Sequence, residues 1–94
     1  MDDQRFANVW DAVEETPGEA ALMKARSGLM IAIQETVAGW KLTQAEAAKR
    51  LGVTQPRMND LLRGRIDKFS LDALMILATG AGLTVEWRVA KAAA

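Results

Sequence analysis

The spacing of apolar and small residues between Gln44 and Arg63 constrains the fold of this chain more than any other feature. Five positions in this stretch have the spacing of the contacts that hold two short helices together at a steep angle. They are Ala47, Leu51, Val53, Met58 and Leu61. Ala48 suits a close crossing of two helix backbones, and Gly52 suits a turn with a left-handed backbone, where a Cβ would cost energy. The pattern therefore predicts a helix-turn-helix.

A long first helix is predicted upstream of this motif. Thr16 is the expected N-cap, Pro17 occupies the first helical position, and Glu19 completes a capping box. Gly39 is expected to stop the helix. The predicted buried stripe has helical spacing. It consists of Leu22, Ala25, Leu29, Ile33 and Val37.

Three further helix starts follow. Thr43 and Glu46 form a second capping box, Thr54 begins the next helix, and Ser70 begins a last helix that runs to Gly80. Four short-linked helices of this kind form a compact all-α bundle.

The end of the chain changes from helical to alternating periodicity. Val85, Trp87 and Val89 alternate with polar neighbours, which predicts a half-buried strand over residues 83–90. A lone strand needs a partner for its backbone. Pairing with the same strand of a second subunit is favoured here, and the segment Arg5–Trp10 is the alternative. The expected organisation is an acidic arm (1–15), a helix-turn-helix domain (16–82, motif 43–63), a dimerisation strand (83–90) and a frayed tail (91–94).

Composition argues against catalysis and bound metal. The chain has no histidine and no cysteine, so the usual general base and the usual zinc ligands are missing. There is also no glycine-rich phosphate loop and no convincing pair of carboxylates. We therefore predict no catalytic residue, no metal and no cofactor. An acidic start and the lack of a long apolar run predict a cytoplasmic protein without a signal peptide or membrane span.

Charge is distributed unevenly although the chain has no net charge. Residues 1–19 contain six acidic residues and one basic residue, whereas residues 41–68 contain seven basic and three acidic residues. The basic stretch coincides with the helix-turn-helix pattern, as expected for a surface that attracts nucleic acid. Two solvated surfaces of opposite sign are the alternative interpretation.

The segment Leu42–Gln55, LTQAEAAKRLGVTQ, resembles the phage-repressor-like (Cro or XRE) family. Shorter stretches extend the resemblance over nearly the whole chain, to a subgroup that contains HigA-type antitoxins. They are FANVW at 6–10, KAR at 24–26, LRGR at 62–65, FSL at 69–71 and LTVEWRV at 83–89. The resemblance implies an all-α, lambda-repressor-like fold, here with the C-terminal strand paired across a dimer.

In such domains the second motif helix enters the major groove. The resemblance implies that four side chains read base edges there: Gln55, Asn59, Asp60 and Arg63. Asp60 could instead orient Arg57 or Arg63. Pro56 is not expected to read a base. Contacts to phosphates are expected from Gln44, Thr54, Arg57, Arg65 and Lys68. The simpler alternatives are helix capping by Thr54, neutralisation of the helix end by Arg63, and ordinary solvent exposure of Asn59, Asp60, Arg65 and Lys68.

The resulting hypothesis is a homodimeric repressor that binds a near-palindromic operator in double-stranded DNA and also neutralises a small basic toxin. The expected toxin-binding arm is amphipathic and acidic, and it comprises Val9, Trp10, Asp11, Val13 and Glu14. A flexible solubilising arm is the simpler alternative. A stand-alone or prophage-type regulator without a toxin is the second hypothesis. A protein-interaction module that no longer binds DNA is the third.

Overall fold

The computed structural model describes residues 16–93, which form four α-helices and one 3-10 turn. The helices are α1 (Pro17–Trp40), α2 (Gln44–Leu51), α3 (Gln55–Leu62) and α4 (Leu71–Gly80), with the 3-10 turn at Ile66–Lys68. The main packing partners are α1 with α4 and α2 with α3. The predicted all-α helix-turn-helix bundle is thus confirmed over this part of the chain.

Every α-helix begins at a hydroxyl N-cap, as the sequence predicts. The Thr43 hydroxyl accepts a hydrogen bond from the Glu46 amide at 3.2 Å, and Glu46 Oε1 accepts one from the Thr43 amide at 2.9 Å. Thr16 and Glu19 form the same reciprocal pair at the start of α1. These caps satisfy amides that lack partners in the first turn, so they fix where each helix starts.

The predicted end of α1 is wrong by two residues. Gly39 lies inside the helix, and the left-handed residue that ends it is Lys41, with φ of 55°. The longer helix carries Trp40 to the edge of the core, where Arg50 stacks on the indole ring at 4.1 Å. Packing of this large side chain outweighs the local stop signal of a glycine.

The predicted buried stripe of α1 is partly correct. Ile33 and Val37 are buried and Leu29 packs against the core, but Leu22 is exposed, and Met30, which lies outside the predicted stripe, is buried. Leu22 is exposed because the whole stretch from Thr16 to Leu22 stands clear of the core. Only the later turns of α1 pack against the other helices.

The motif residues form much of the core. Ala47, Met58 and Leu61 are almost fully buried, and Leu51 and Val53 pack against them. Ala48 is 3% exposed on α2, and Gly52 has a φ of 75° at the end of α2. The predicted left-handed turn at Gly52 is confirmed.

The predicted C-terminal strand is absent from the described chain. Residues 83–93 have no regular secondary structure. Leu83 and Val85 pack against the core, whereas Trp87 is 57% exposed and Val89 is 95% exposed. A strand forms only against a second strand, and residues 16–93 of a single chain provide none. The segment Arg5–Trp10, the alternative partner, lies outside the described residues.

Candidate nucleic-acid interface

One side of α3 carries the side chains that the sequence assigned to base reading. Gln55, Asn59 and Arg63 are four residues apart, so they lie along one face of the helix and its C-cap. Gln55 and Arg63 are exposed, and Asn59 is half-buried. Met58 and Leu61 point to the core from the opposite side and fix the orientation of this face.

A hydrogen bond joins the two motif helices at this face. Gln44 Nε2, at the first position of α2, donates to Asn59 Oδ1 at 3.3 Å. The bond uses one lone pair of the Asn59 amide, which retains two N–H donors and a further acceptor site. Gln44 therefore orients Asn59 without exhausting its capacity to bond.

Asp60 has a different partner from the two suggested by the sequence. Its carboxylate lies 3.7 Å from Arg65 Nε, and its backbone carbonyl accepts from the Arg65 amide at 3.0 Å. The sequence-based alternative paired Asp60 with Arg57 or Arg63. The observed pair ties α3 to the following loop, and the partial exposure of both side chains keeps its contribution to stability small.

The starts of the two motif helices differ in the backbone amides they can offer. The Thr54 hydroxyl accepts from the Arg57 amide at 3.2 Å and keeps its own hydrogen for another acceptor. Pro56, in the first turn of α3, has no amide hydrogen. The first turn of α3 therefore has fewer N–H groups to offer a phosphate than the first turn of α2.

Arg57 is engaged by the loop that follows α3. Its Nη1 donates to the Lys68 carbonyl at 2.8 Å, and its guanidinium lies 4.0 Å from the centre of the Phe69 ring. The loop side chains Arg65 and Lys68 are themselves exposed. The structure thus brings together three of the predicted phosphate-contacting residues.

Two residues that the sequence did not single out for this site also hold it. Arg26 on α1 donates through Nε to the Phe69 carbonyl at 2.9 Å and through Nη2 to the Ile66 carbonyl at 2.6 Å. Gln34, also on α1, donates to the Leu61 carbonyl at 2.8 Å. These partners are 27 to 43 residues away in the sequence, so no local pattern indicates them.

Two of the three acidic residues of this region, Glu46 and Asp60, have local partners, and the third, Asp67, is exposed in the loop. Hydrogen bonds from the backbone and side chain of Thr43 hold the pKa of Glu46 below its ordinary value, so the carboxylate is charged and folded back onto the start of α2. Asp60 is paired with Arg65. Residues 41–68 contain seven basic and three acidic residues, so the surface formed by α2, α3 and the loop is basic in character.

Three further features of the described chain concern a metal site, a membrane span and a groove. Residues 16–93 contain no group of acidic side chains that could hold a metal ion. Within the same range, no helix combines the length and apolar character that a membrane crossing requires. A groove of about 550 Å³ lies between α1 and the C-terminal segment 83–93, hereafter the tail, and it includes Ala25, Leu29 and Trp87 in its lining. The arm residues Val9, Trp10, Asp11, Val13 and Glu14 lie outside the described residues.

Comparisons with known proteins identify the family. The helix-turn-helix domain family matches residues 12–90. A solved structure described as that of an XRE-family transcriptional regulator superposes with a TM-score of 0.71 at 30% identity, covering 78% of this chain and 82% of that one. No curated protein matches the sequence. The chain therefore belongs to the helix-turn-helix domain family of the XRE type.

Proposed function

We propose that this protein is a sequence-specific regulator of transcription that binds double-stranded DNA and represses its own operon. The observation that carries the proposal is the exposed face of α3, which presents Gln55, Asn59 and Arg63 from a rigidly packed motif. The similarity to an XRE-family regulator supports the same function.

In this proposal the face of α3 enters the major groove. Gln55 and Asn59 pair with adenine, and Arg63 pairs with the O6 and N7 atoms of guanine, because these side chains match the donors and acceptors of those bases. Asp60 is less available to a cytosine amino group, since its carboxylate lies beside Arg65.

Contacts to the phosphates flank this face. Gln44 and Thr54 lie at helix starts, and Arg65 and Lys68 extend from the loop after α3. Arg57 uses one N–H group on the Lys68 carbonyl, and within residues 16–93 its other side-chain donors have no hydrogen-bond acceptor and could bind a phosphate. Such contacts give affinity and register rather than sequence preference.

The tail supports a homodimer in this proposal. Val85 packs inward, while Trp87 and Val89 expose apolar surface next to a backbone that has no strand to pair with among residues 16–93. Pairing two tails would cover both and place two α3 faces on a near-palindromic operator, with half-sites about 34–36 Å apart or a multiple of that. Deletion of residues 83–94 should then yield monomers in sedimentation. An unchanged mass would contradict the tail as the dimer interface.

An antitoxin role is the finer form of the proposal. It is supported by the acidic character of residues 1–19 and by the resemblance of the sequence to HigA-type antitoxins. A small basic toxin encoded beside this gene, captured by the full chain and not by a chain that lacks residues 1–15, would support it. Capture by both chains would place the toxin-binding surface elsewhere.

Fluorescence anisotropy tests the proposal directly. The full chain is titrated onto the duplex upstream of its own gene and onto a scrambled duplex, at two salt concentrations. We expect at least about 10³-fold tighter binding to the first duplex. Equal, strongly salt-dependent binding to both would indicate attraction to phosphates only, and it would favour the alternative that the domain binds a protein.

A further inference from the structure

The loop between α3 and α4 is held from two sides by arginine side chains. Arg26 reaches it from α1 and donates to the Ile66 and Phe69 carbonyls, while Arg57 reaches it from α3 and donates to the Lys68 carbonyl. Three of the four carbonyls from Ile66 to Phe69 thus accept a charge-assisted hydrogen bond. Such bonds are shorter and stronger than those between neutral groups.

The same loop is anchored by its last residue. Phe69 is 1% exposed in the core, and the guanidinium of Arg57 covers its ring at 4.0 Å. At the other end Gly64 reverses the chain with a φ of 73°. Between these two points the backbone has one 3-10 turn and a hydrogen bond from the Arg65 amide to the Asp60 carbonyl, and the side chains of Arg26 and Arg57 add the hydrogen bonds that join it to α1 and α3.

The loop carries two of the cations that the proposed function assigns to phosphates. Arg65 and Lys68 are exposed, whereas Arg26 is half-buried and directs both of its bonding nitrogens at the loop backbone. Loops that are ordered only on binding lose affinity, because the ordering must be offset by the contacts they make. A loop that is already ordered in the free protein does not lose this affinity.

We propose that Arg26 is a positioning residue for DNA binding, which fixes the loop so that Arg65 and Lys68 meet the phosphate backbone. The inference rests on the proposed function and adds to it a residue on α1, outside the helix-turn-helix motif. A planar guanidinium is required because its Nε and Nη2 groups address two carbonyls in one fixed geometry, which a lysine ammonium cannot reproduce.

The test compares Arg26→Met with Lys24→Met. Both changes remove one positive charge from the same part of α1, but Lys24 is exposed and lines the groove beside the tail. Near 0.15 M salt, each phosphate contact is worth about fivefold in affinity and about 0.9 in the slope of log affinity against log salt. We expect Arg26→Met to weaken binding to the upstream duplex by up to about 30-fold and to reduce the slope by as much as about 1.8. We expect less than about a twofold effect for Lys24→Met, because distant exposed charges are screened.

A double-mutant comparison separates positioning from general loss of structure. In a chain that already carries Arg65→Ala and Lys68→Ala, Arg26→Met should weaken binding by less than about twofold, because the contacts it supports are gone. Circular dichroism sets a temperature at which all variants are folded. If Arg26→Met does not fold, Arg26→Lys replaces it, since it keeps the charge and loses the paired donors.

The outcomes are distinct. Each of three results would overturn the positioning role while leaving DNA binding intact. The first is an equal loss of affinity for Arg26→Met in both backgrounds, and the second is an unchanged salt slope. The third is an equal effect of Arg26→Met and Lys24→Met. A wild-type chain that does not distinguish the upstream duplex from the scrambled one would instead refute the proposed function, and the positioning role would fall with it.

Discussion

Replacing the glycine near the end of each of the first two helices by alanine should change the stability of the protein in opposite directions. Gly52 ends α2 with a φ of 75°, whereas Gly39 has an ordinary helical backbone in the last turn of α1. A Cβ added at either position meets no atom within 4 Å. The effect of each substitution is therefore determined by the backbone and not by a steric clash.

The expected magnitudes follow from these conformations. A left-handed backbone costs a residue with a Cβ about 1–2 kcal/mol. Alanine also lowers the conformational entropy of the unfolded chain relative to glycine, which offsets about 0.4–1 kcal/mol of this cost. Gly52→Ala should therefore destabilise the protein by about 1 kcal/mol and lower Tm by about 4–8 °C. Gly39→Ala should stabilise it by about 0.5–1 kcal/mol, because alanine is the better helix former.

Thermal and urea unfolding of the two variants measure this difference. Gly52→Asn is the matched variant, since asparagine tolerates a left-handed backbone better than alanine and should recover part of the loss. A Gly39→Ala variant that is less stable than the wild type would refute the reasoning. It would mean that Gly39 itself ends α1 in solution, as the local sequence alone suggests.

Other consequences concern pH, the core and the surface. Hydrogen bonds from Thr43 hold the pKa of Glu46 below its ordinary 4.5, so their stabilising effect is present above pH 4.5 and is lost as the pH falls through the lowered value. Between pH 7 and pH 3, the Tm of Glu46→Gln should therefore fall less than the Tm of the wild type. An equal fall in Tm for the two proteins would contradict this. Leu74 is fully buried, so Leu74→Ala should cost about 2–5 kcal/mol in urea unfolding. Arg50→Ala should cost about 0.5–1 kcal/mol, because it removes the stacking on Trp40.

The helix starts and the motif core could be predicted because their signals are local. A hydroxyl residue followed three positions later by glutamate specifies a cap from four consecutive residues, and α1 and α2 begin where this pattern places them. The positions of Ala47, Met58 and Leu61 follow from helical periodicity, and all three are buried. Such features depend on neighbours in the sequence.

The features that the sequence did not predict depend on distant contacts. α1 continues past Gly39 because Trp40 packs against the core, which a local stop signal does not reveal. The hydrogen bonds of Arg26 reach 40 and 43 residues along the chain. Leu22 fits the predicted stripe, but its side chain is exposed.

The tail shows the limit of a periodic pattern. Alternation correctly places Leu83 and Val85 toward the core, but it fails at Trp87 and Val89, which are exposed. Alternation indicates which side of a segment is buried. It does not provide the second strand that the segment needs to become part of a sheet.

The measurement that tests the central claim most directly compares Arg63→Ala with Lys68→Ala on the upstream duplex and on duplexes with single base-pair changes. If the face of α3 reads bases, Arg63→Ala should lose about 1–3 kcal/mol of discrimination at one base pair and leave the others unchanged. Lys68→Ala should weaken binding to every duplex by a similar factor. Equal, sequence-independent losses for both variants would contradict base reading by α3.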